Sequence, residues 1–415
     1  MNLSDFKAMQ ERCSNCSYCK FIPFDKVQSA RFADGCPAIA YRNFNTYSAR
    51  GRFQLGLALV NGEQPVSEST AQIIHSCLSC GGCDVSCKIC RYNLEPLEHN
   101  VALKEEAVRQ AGPLPRQAEM LESLKTEHTL IPRAKAAQRT EWAQGIEFAA
   151  EPEVLYFPGC KYSYDPALRE TVRTGAQLLL KAGVKLGYLG DKDSCCGGRL
   201  WQMGMIGDFD IQAANNIKTL KASDVQLIVT PCSDCYHALK RLYAQAGLGI
   251  KVLHIVEYVD QLITEGKIKF TKNIPMTVTY HDPCHLGRQG ENYIPWNGKE
   301  KKILNQVHTW EPRRPRYNGA YGIYDAPRRI LEALPGVKLV EMQRIKEYSW
   351  CCGAGGGCSE TDPAFSSWTA SERVQEAQST GAEVLVTACP WCKSNFKAAG
   401  GIEVEDILDL VARAM

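Results

Sequence analysis

The sequence predicts a mixed α+β and α/β protein, with a helical N-terminal domain followed by two related α/β domains. The first 110 residues contain nine of the twenty cysteines and little of the alternation that predicts strands. From about residue 151 the chain alternates apolar strands with helical patterns, which favours layers with parallel strand pairing. This second part also repeats itself, so we expect two pseudo-symmetric α/β domains.

Four segments are expected from composition and repeats. Between the cysteine-rich start and the repeats lies AGPLPRQAEMLESLKTEHTLIPRAKAAQ, which has no cysteine and has prolines that break it on either side of one predicted helix. The expected segments are a cysteine-rich domain (1–110), a linker with a connecting helix (111–150), a first α/β domain (151–270) and a second α/β domain with an insertion near 287–322 (271–415).

The composition narrows the classes of partner and the cell compartment. Lys and Arg number 48 against 46 Asp and Glu, so electrostatics give no reason to expect nucleic acid or an anionic membrane surface. The N-terminus lacks an apolar signal region and no run of eighteen apolar residues occurs, so we expect a cytoplasmic chain without direct membrane insertion. In a reducing compartment, twenty cysteines indicate metal binding rather than disulfides.

The first domain contains two runs of cysteines. One is C-x2-C-x2-C followed by a more distant cysteine, at Cys13, Cys16, Cys19 and Cys36, and the other is C-x2-C-x2-C-x3-C, at Cys77, Cys80, Cys83 and Cys87. This spacing is typical of bacterial two-cluster ferredoxins. In those proteins the fourth cysteine of each run binds the other cluster. The sequence therefore predicts a ferredoxin-type domain with two cubane [4Fe–4S] clusters. Applying the crossed rule gives one ligand set of Cys13, Cys16, Cys19 and Cys87 and another of Cys77, Cys80, Cys83 and Cys36.

Structural zinc is the alternative interpretation of these runs, because C-x2-C pairs also bind zinc. Three cysteines at consecutive two-residue gaps, occurring twice, crowd a tetrahedral ion but suit a cubane, so iron–sulfur is favoured. Two features depart from the ferredoxin pattern: sixteen residues separate Cys19 from Cys36, and Lys88 follows Cys87 where proline is common.

The repeats after residue 151 each carry five cysteines. Every copy has one cysteine after a strand, then a vicinal pair followed by glycine, then C-x-x-C after another strand. The first copy reads EVLYFPGC, DSCCGG and DVQLIVTPCSDC, and the second reads MTVTYHDPC, SWCCGAG and AEVLVTACPWC. The two sets are Cys160, Cys195, Cys196, Cys232 and Cys235, and Cys284, Cys351, Cys352, Cys389 and Cys392.

Five thiolates exceed what one zinc ion or one cubane uses. Because the carboxyl ends of parallel strands meet at one sheet edge, each set is expected to converge there around a larger metal cluster. The glycines that follow Cys352, among them Gly353 and Gly355–Gly357, allow the backbone to approach such a cluster closely.

The pattern C-x34-CCG-x34-C-x2-C, its second copy and the strings HDPCHLGR and CCGAGGG resemble the CCG domains of heterodisulfide reductase. The resemblance covers the HdrB subunit and, over nearly the whole chain, the HdrD subunit, which also begins with a two-cluster ferredoxin module. Iron–sulfur subunits of glycolate, lactate and anaerobic glycerol-3-phosphate oxidation share the layout. The resemblance implies one noncubane [4Fe–4S] cluster on each five-cysteine set, with a disulfide split between them. It also implies partners: other redox subunits, among them a flavin-containing, HdrA-like one.

The insertion is the main departure from the repeat. Cys284 and Cys351 are separated by 66 residues, against 34 between Cys160 and Cys195. The aromatic and basic extra segment is open to interpretation as a partner-docking element, a lid or a surface loop. It resembles insertions in HdrD homologues of bacterial complexes, notably class II benzoyl-CoA reductase assemblies.

Other residues offer less. Cys90 and Cys358 are left over by the ligand count, and Cys358 is either a buried thiol or a spare ligand. His281 and His285 flank Cys284, where a proton donor is conceivable and a hydrogen-bonded loop histidine is favoured. No catalytic residue, nucleotide motif or flavin signature is assigned.

Two functions are therefore carried forward. The leading one is an iron–sulfur oxidoreductase subunit that passes electrons through the cubanes to the noncubane pair, where a disulfide or similar two-electron acceptor is reduced, or the reverse. The alternative is a pure electron-transfer subunit between a flavin subunit and a separate catalytic subunit. A zinc-bound scaffold ranks last.

Overall fold

The N-terminal region is helical, as the sequence predicts. The computed structural model describes residues 2–89, 94–292, 296–304 and 307–415. Short helices alternate with the cysteine loops, and one isolated β-bridge joins Phe21 to Asp34. The helices are α1 (Lys7–Arg12), α2 (Pro37–Arg42), α3 (Ala49–Val60), α4 (Glu68–His75), α5 (Gly82–Ile89) and α6 (Pro96–Ala111).

The connecting helix predicted between the prolines is α7 (Pro115–Glu127). It begins with proline in its first turn, where the missing N–H costs no hydrogen bond. The Leu114 N–H donates to the side chain of Gln117 at 3.0 Å, which closes that end. A 3-10 segment, Ala136–Ala143, then places Trp142 in the core of the first α/β domain, where it packs against Tyr156.

The first α/β domain is a four-stranded parallel sheet in the order β2-β1-β3-β4. A π-helical segment, Ala238–Tyr243, extends one of its helices. Its elements are β1 (Val154–Tyr156), α8 (Cys160–Tyr164), α9 (Arg169–Lys181), β2 (Leu186–Gly187), α10 (Gly198–Met203), α11 (Ile206–Lys221), β3 (Leu227–Thr230), α12 (Ser233–His237), β4 (Lys251–His254) and α13 (Ile255–Thr264).

The second α/β domain repeats this topology, with a parallel sheet in the order β8-β5-β9-β10. An antiparallel hairpin, β6 with β7, is inserted after β5. The elements are β5 (Met276–His281), β6 (Lys299–Ile303), β7 (Val307–Glu311), α14 (Asp325–Ala333), β8 (Val337–Leu339), α15 (Cys358–Thr361), α16 (Pro363–Gln378), β9 (Val384–Thr387), α17 (Pro390–Ala399), β10 (Glu403–Asp406) and α18 (Ile407–Ala414).

One hydrophobic core runs through both sheets. It includes Leu155 and Ile228 from the first sheet and Val278 and Val386 from the second. Because both faces of a parallel sheet are covered, the central strands β1, β3 and β9 are almost entirely apolar rather than alternating. The predicted fold class and the pseudo-symmetric pair are confirmed. No helix in the described residues combines the length and apolar character needed to cross a bilayer.

Candidate metal centres

The first thiol group combines buried and exposed cysteines of the N-terminal domain. Cys19 and Cys87 are buried and share one hydrophobic cluster with Cys13, while Cys16 is exposed. Burial raises the pKa of the Cys19 thiol, and the neighbouring Cys13 and Cys16 add to that shift. The structure thus brings Cys87 to the Cys13–Cys19 loop. We call Cys13, Cys16, Cys19 and Cys87 the outer set.

All four cysteines of the second thiol group line one pocket. Burial raises the pKa of Cys36 to about 12, and the Cys80 and Cys77 thiols contribute to that shift. The side-chain amide of Asn100 lies 3.7 Å from the Cys77 sulfur. Cys36, which is distant in sequence, therefore completes this group. We call Cys36, Cys77, Cys80 and Cys83 the inner set.

In the first α/β domain, five thiols form a continuous chain of hydrogen-bonding contacts. Cys160 contacts Cys195, Cys195 contacts Cys196, Cys196 contacts Cys235, and Cys235 contacts Cys232. Hydrogen bonds from Cys195 and Cys235 lower the pKa of Cys196 to about 6. All five are buried. They follow the carboxyl ends of β1, β2 and β3, as predicted, and we call them the first CCG set.

The second α/β domain repeats the arrangement in the same order. Cys284 contacts Cys351, Cys351 contacts Cys352, Cys352 contacts Cys392, and Cys392 contacts Cys389. The hydrogen bond from Cys351 lowers the pKa of Cys284 to about 5. Four of these cysteines line one pocket. We call these five residues the second CCG set.

The two CCG sets lie side by side across the domain interface. The Ser233 hydroxyl, from the first C-x-x-C loop, donates to the carbonyl of Ala388 next to Cys389 at 2.9 Å. Ser233 and Asp234 also line the pocket of the second set. Arg199 lies just after the first vicinal-cysteine pair, and its side chain donates to the Ala354 carbonyl, in the second vicinal-cysteine loop, at 2.9 Å. Each loop is thus held by the opposite domain.

The inner set touches the second CCG set directly. Cys80 and Cys351 are in hydrogen-bonding contact, and this contact lowers the pKa of Cys80 to about 6. The backbones are equally close, because a Cβ placed on Gly355 would lie 2.4 Å from the carbonyl oxygen of Leu78. The loop that carries Cys77 and Cys80 is therefore packed onto the glycines that follow Cys352.

Two buried cations hold this junction. Lys104 donates to the carbonyl of Cys77 at 2.6 Å, to that of Gln202 at 3.0 Å and to that of Gly356 at 3.3 Å. Arg288 donates to the carbonyl of Cys80 at 2.7 Å and to that of Ser349 at 2.7 Å. Positive charge between thiol groups stabilises their deprotonated, metal-binding form.

A third buried cation faces the first CCG set. The Arg139 guanidinium lies 3.5 Å from the Cys160 sulfur and 3.1 Å from a carboxylate oxygen of Asp193. Burial opposes the charge of Arg139, but Asp193 and Cys160 outweigh burial and raise the pKa of the guanidinium. The linker therefore supplies one positive charge to the first set.

The histidines beside Cys284 have different environments. His281 accepts a hydrogen bond from Arg373 at 3.1 Å and packs edge-on against Phe396, so it is a hydrogen-bonded core histidine, as favoured from the sequence. His285 contacts Cys284 and hydrogen-bonds Asp234 from the other domain. Burial opposes protonation of His285, but the Cys284 thiolate and Asp234 outweigh burial and raise its pKa well above the usual value.

The SWCCG segment is anchored from behind by a buried ion triad. Glu376 binds Arg344 at 2.9 Å and Arg373 at 2.7 Å, and these three side chains are almost fully buried. Arg373 donates to the hydroxyl of Ser349 at 3.2 Å, and the Arg344 guanidinium lies 4.2 Å from the ring centre of Trp350. The two residues before Cys351 are therefore held by buried side chains of the same domain.

The two remaining cysteines are resolved differently. Cys358 is buried, its sulfur donates to the carbonyl of His75 at 3.4 Å, and burial raises its pKa to about 12. It is a buried thiol that packs in one hydrophobic cluster with Cys36 and Cys80 of the inner set. Cys90 lies outside the described residues.

Comparisons with known proteins agree with this geometry. A family model for a 4Fe–4S dicluster domain matches residues 9–89, and a model for a cysteine-rich domain matches 154–240 and 313–397. The HdrD subunit of the dihydromethanophenazine:CoB–CoM heterodisulfide reductase of Methanosarcina mazei is 32% identical over 356 residues, covering 82% of this chain and 78% of that protein.

This chain belongs to the HdrD family of heterodisulfide reductase subunits. It is an iron–sulfur oxidoreductase subunit with a dicluster domain and cysteine-rich domains, and the predicted family is confirmed. The matches support iron–sulfur centres over structural zinc sites. The EtfAB:quinone oxidoreductase of Syntrophomonas wolfei is also similar, at 28% identity over 83% of this chain and 47% of that protein.

A solved structure shares the fold. A hypothetical protein from Helicobacter pylori superposes with a TM-score of 0.51 at 11% identity, covering 89% of this chain and 68% of its own. At that identity the likeness concerns the fold alone. The second cysteine-rich match of this HdrD-family chain begins at 313, inside the insertion, and so omits Cys284, which the structure nevertheless places against Cys351.

Sequence reasoning missed several residues of these HdrD-family sites. Arg288 and Arg199 lie in the strings HDPCHLGR and SCCGGRL, so a basic residue close to a ligand cysteine was an available signal. Arg139 and Lys104 lie on the linker and on α6 without such a signal. The contact between Cys80 and Cys351 joins distant parts of the chain and had no local sequence pattern.

Proposed function

We propose that this chain carries electrons through two cubane [4Fe–4S] clusters to two noncubane [4Fe–4S] clusters, where a disulfide or similar two-electron acceptor is reduced, or the reverse reaction occurs. The proposed ligands are the outer set and the inner set for the cubanes, and the first and second CCG sets for the noncubane clusters. The observation that carries the proposal is the repeated order of four contacts among the five thiols of each CCG set.

The donor chemistry fits these groups. The outer and inner sets each offer four thiols, the number a cubane takes, and the four thiols of the inner set line one common pocket. Backbone amides near the thiols lie within hydrogen-bonding contact of sulfur, as at Gly82 for Cys80. When bound, the clusters would supply one-electron carriers beside a two-electron reaction site.

The chain's own residues would do the rest. Arg139 and Arg288 offset negative charge on the thiolates that they face. Asp234 holds His285 next to Cys284 at the pocket of the second CCG set, so a polar group lies ready where a substrate thiolate forms. Arg199 keeps the two vicinal-cysteine loops together, which fixes the distance between the sites.

We also propose the coarser setting of the protein. The segment boundaries 1–110, 111–150, 151–270 and 271–415 stay a prediction, as does the cytoplasmic setting indicated by the twenty cysteines. The partners would be other redox subunits, including a flavin-containing, HdrA-like one. Membership of a class II benzoyl-CoA reductase assembly stays a prediction.

The decisive experiment is metal analysis of the anaerobically purified chain. We expect about sixteen irons per chain, four in each of four clusters, and no stoichiometric zinc. A thiol–disulfide titration followed by EPR should then produce a paramagnetic signal that depends on added thiol. The signal should be lost in Cys352→Ser and retained in Cys358→Ser, since Cys358 is not a proposed ligand.

Three outcomes would contradict parts of the proposal. A content of about eight irons per chain would contradict the assignment of the two noncubane clusters. Zinc in place of iron would contradict the assignment of all four clusters. A full iron complement with no thiol-dependent signal would favour the pure electron-transfer role, in which the CCG sets pass electrons to a separate catalytic subunit.

A further inference from the structure

The chain that follows Cys16 exposes aromatic side chains to solvent. Cys16 is the exposed member of the four, and Tyr18, Phe21 and Phe24 follow it within eight residues. All three rings are exposed, Phe24 to 75%. Exposed aromatic side chains grouped at one place mark an interaction site, because burying them against a partner is favourable.

The hairpin formed by β6 and β7 stands beside this surface. Arg12, next to Cys13, binds Glu300 of β6 with nitrogen–oxygen distances of 2.9 and 3.0 Å. At the far end of the hairpin the apolar side chains of Ile303, Leu304 and Val307 are exposed, Leu304 to 87%. A two-stranded hairpin is marginally stable by itself, and this hairpin exposes apolar side chains to solvent at its end. We therefore expect a binding partner to cover these side chains.

The charge of the hairpin selects the kind of partner. Between 296 and 316 the sequence has six Lys and Arg against two Glu, although the whole chain is nearly neutral. On β6, Lys299 and Lys302 are exposed. This concentration of positive charge attracts an acidic surface and speeds the association of charge-complementary proteins.

We propose that the hairpin and the exposed face around Cys16 form one docking surface for an acidic electron-transfer protein. This inference rests on the proposed function of the outer set. In each encounter the partner is oxidised by one electron and this chain is reduced by one electron, or the reverse, and no covalent bond forms. An acidic redox protein is favoured over a membrane or nucleic acid because the basic hairpin adjoins a thiol set rather than a surface without redox groups.

The test uses the iron-loaded full chain and an acidic plant-type ferredoxin as the probe. Stopped-flow mixing with the reduced ferredoxin should give a saturable electron-transfer rate that falls as salt is raised. The variant Lys299→Glu/Lys302→Glu should lower the second-order rate constant on the order of tenfold at low salt. Leu304→Ser should weaken the apparent affinity while leaving the salt dependence unchanged.

The matched control is Lys269→Glu/Lys272→Glu, which reverses two lysines in the segment between the α/β domains. It should keep the wild-type rate, and all variants should keep the wild-type iron content. Reduction by the photochemically generated lumiflavin semiquinone, a small neutral donor, should be equal in all of them. This comparison separates lost docking from lost clusters.

Several results would overturn the inference. One is an equal loss of rate in the control pair, and another is an unchanged rate in the hairpin pair. Vesicles of phosphatidylglycerol that bind wild type but not the hairpin variant, with equal ferredoxin rates, would assign the hairpin to a membrane surface instead. If the iron-loaded chain accepts electrons from lumiflavin but not from ferredoxin, the docking inference is wrong and the proposed function is unaffected. If the purified chain contains no iron, the proposed function is wrong as well.

Discussion

Lys104 is the residue on which the junction of the three domains depends. It is fully buried, and its ammonium group donates to the Cys77 carbonyl in the N-terminal domain, the Gln202 carbonyl in the first α/β domain and the Gly356 carbonyl in the second. Burial lowers the pKa of this ammonium, while the nearby Cys77 and Cys358 thiols oppose that shift. A buried cation without a carboxylate among these partners favours negative charge in its surroundings.

The variant Lys104→Met should make the midpoint potential of the inner-set cluster more negative. Removing a buried positive charge disfavours electron uptake, and it leaves three carbonyls without a donor, at a cost of roughly 3 kcal/mol in the free energy of unfolding. An EPR-monitored redox titration measures the potential, with Lys181→Met, on the outer end of α9, as control. An unchanged inner-set potential would show that Lys104 has a packing role alone.

His254 gives the first α/β domain a pH-dependent stability. It precedes α13, accepts the Val256 N–H at 3.3 Å and hydrogen-bonds the Pro231 carbonyl at 3.1 Å. Burial lowers its pKa to about 3. Between that value and the ordinary 6.5 the unfolded chain binds the additional proton, so stability decreases as the pH falls below 6.5, by about 1.4 kcal/mol per pH unit.

Replacing His254 with Asn should remove that contribution, because Asn caps a helix without titrating. We expect the slope of unfolding free energy against pH, between pH 5 and 6.5, to be smaller by about 1.4 kcal/mol per unit than in wild type. Denaturant unfolding at several pH values measures it. Equal slopes in the two proteins would show that His254 is protonated in the folded chain.

At the scale of elements, the turn after Cys352 packs closely against the loop that carries Cys77. Gly356 has φ +63°, and a Cβ on it would lie 2.2 Å from the carbonyl oxygen of Cys77. Gly381 also has a positive φ, +74°, but has open space around it. Alanine substitutions at these two glycines therefore separate the cost of backbone strain from the cost of a steric collision.

Gly381→Ala should cost about 1–2 kcal/mol through backbone strain alone. Gly356→Ala should cost about 2 kcal/mol more, because the added methyl group must displace the Cys77 loop. It should also lower the iron content, since the inner set is moved away from the second CCG set. Iron analysis and denaturant unfolding measure both effects, and equal costs in the two variants would refute the packing argument.

Strands were predictable from the sequence where a run of apolar residues indicates that the strand is buried. β3 and β9 are apolar strands that run into C-x-x-C, and their pattern reveals both the strand and the ligands. The hairpin was not predicted as strands, because every residue of β6 is exposed and alternation arises where one face is buried. The insertion therefore looked like a loop in the sequence.

The candidate sites divide in the same way. Ligand spacing is local, so the sequence indicated all four thiol sets, and the structure brings the members of each together. Contacts between sets, such as Cys80 with Cys351, and the cation Lys104 depend on tertiary packing. A lysine on a helix is ordinarily a surface residue, and nothing in the sequence of α6 marks this one as buried.

At the scale of the whole molecule, the N-terminal domain is not an independent ferredoxin attached by a linker. Its inner set uses donors from the α/β domains: Gln289 donates to the Ser79 carbonyl at 3.0 Å, and Arg288 donates to that of Cys80. The linker in turn contributes Arg139 to the first CCG set. The domains therefore complete each other's sites.

Residues 1–150 expressed alone should consequently hold about four irons rather than about eight, with the inner-set cluster lost. The reason is that Leu78, Cys36 and the Lys104 ammonium would be exposed to water. Iron analysis and EPR of the fragment, beside the full chain purified in parallel, provide the measurement. A fragment with two stable clusters would show that this domain folds and assembles by itself.

The contact between Cys80 and Cys351 makes a duplicated fold unequal. The pseudo-equivalent of Cys351 is Cys195, and its backbone N–H meets the linker, donating to the His128 carbonyl at 3.1 Å. The second CCG set therefore contacts the inner set, whereas the corresponding loop of the first CCG set contacts the linker. Matching substitutions in the two halves should therefore differ in severity.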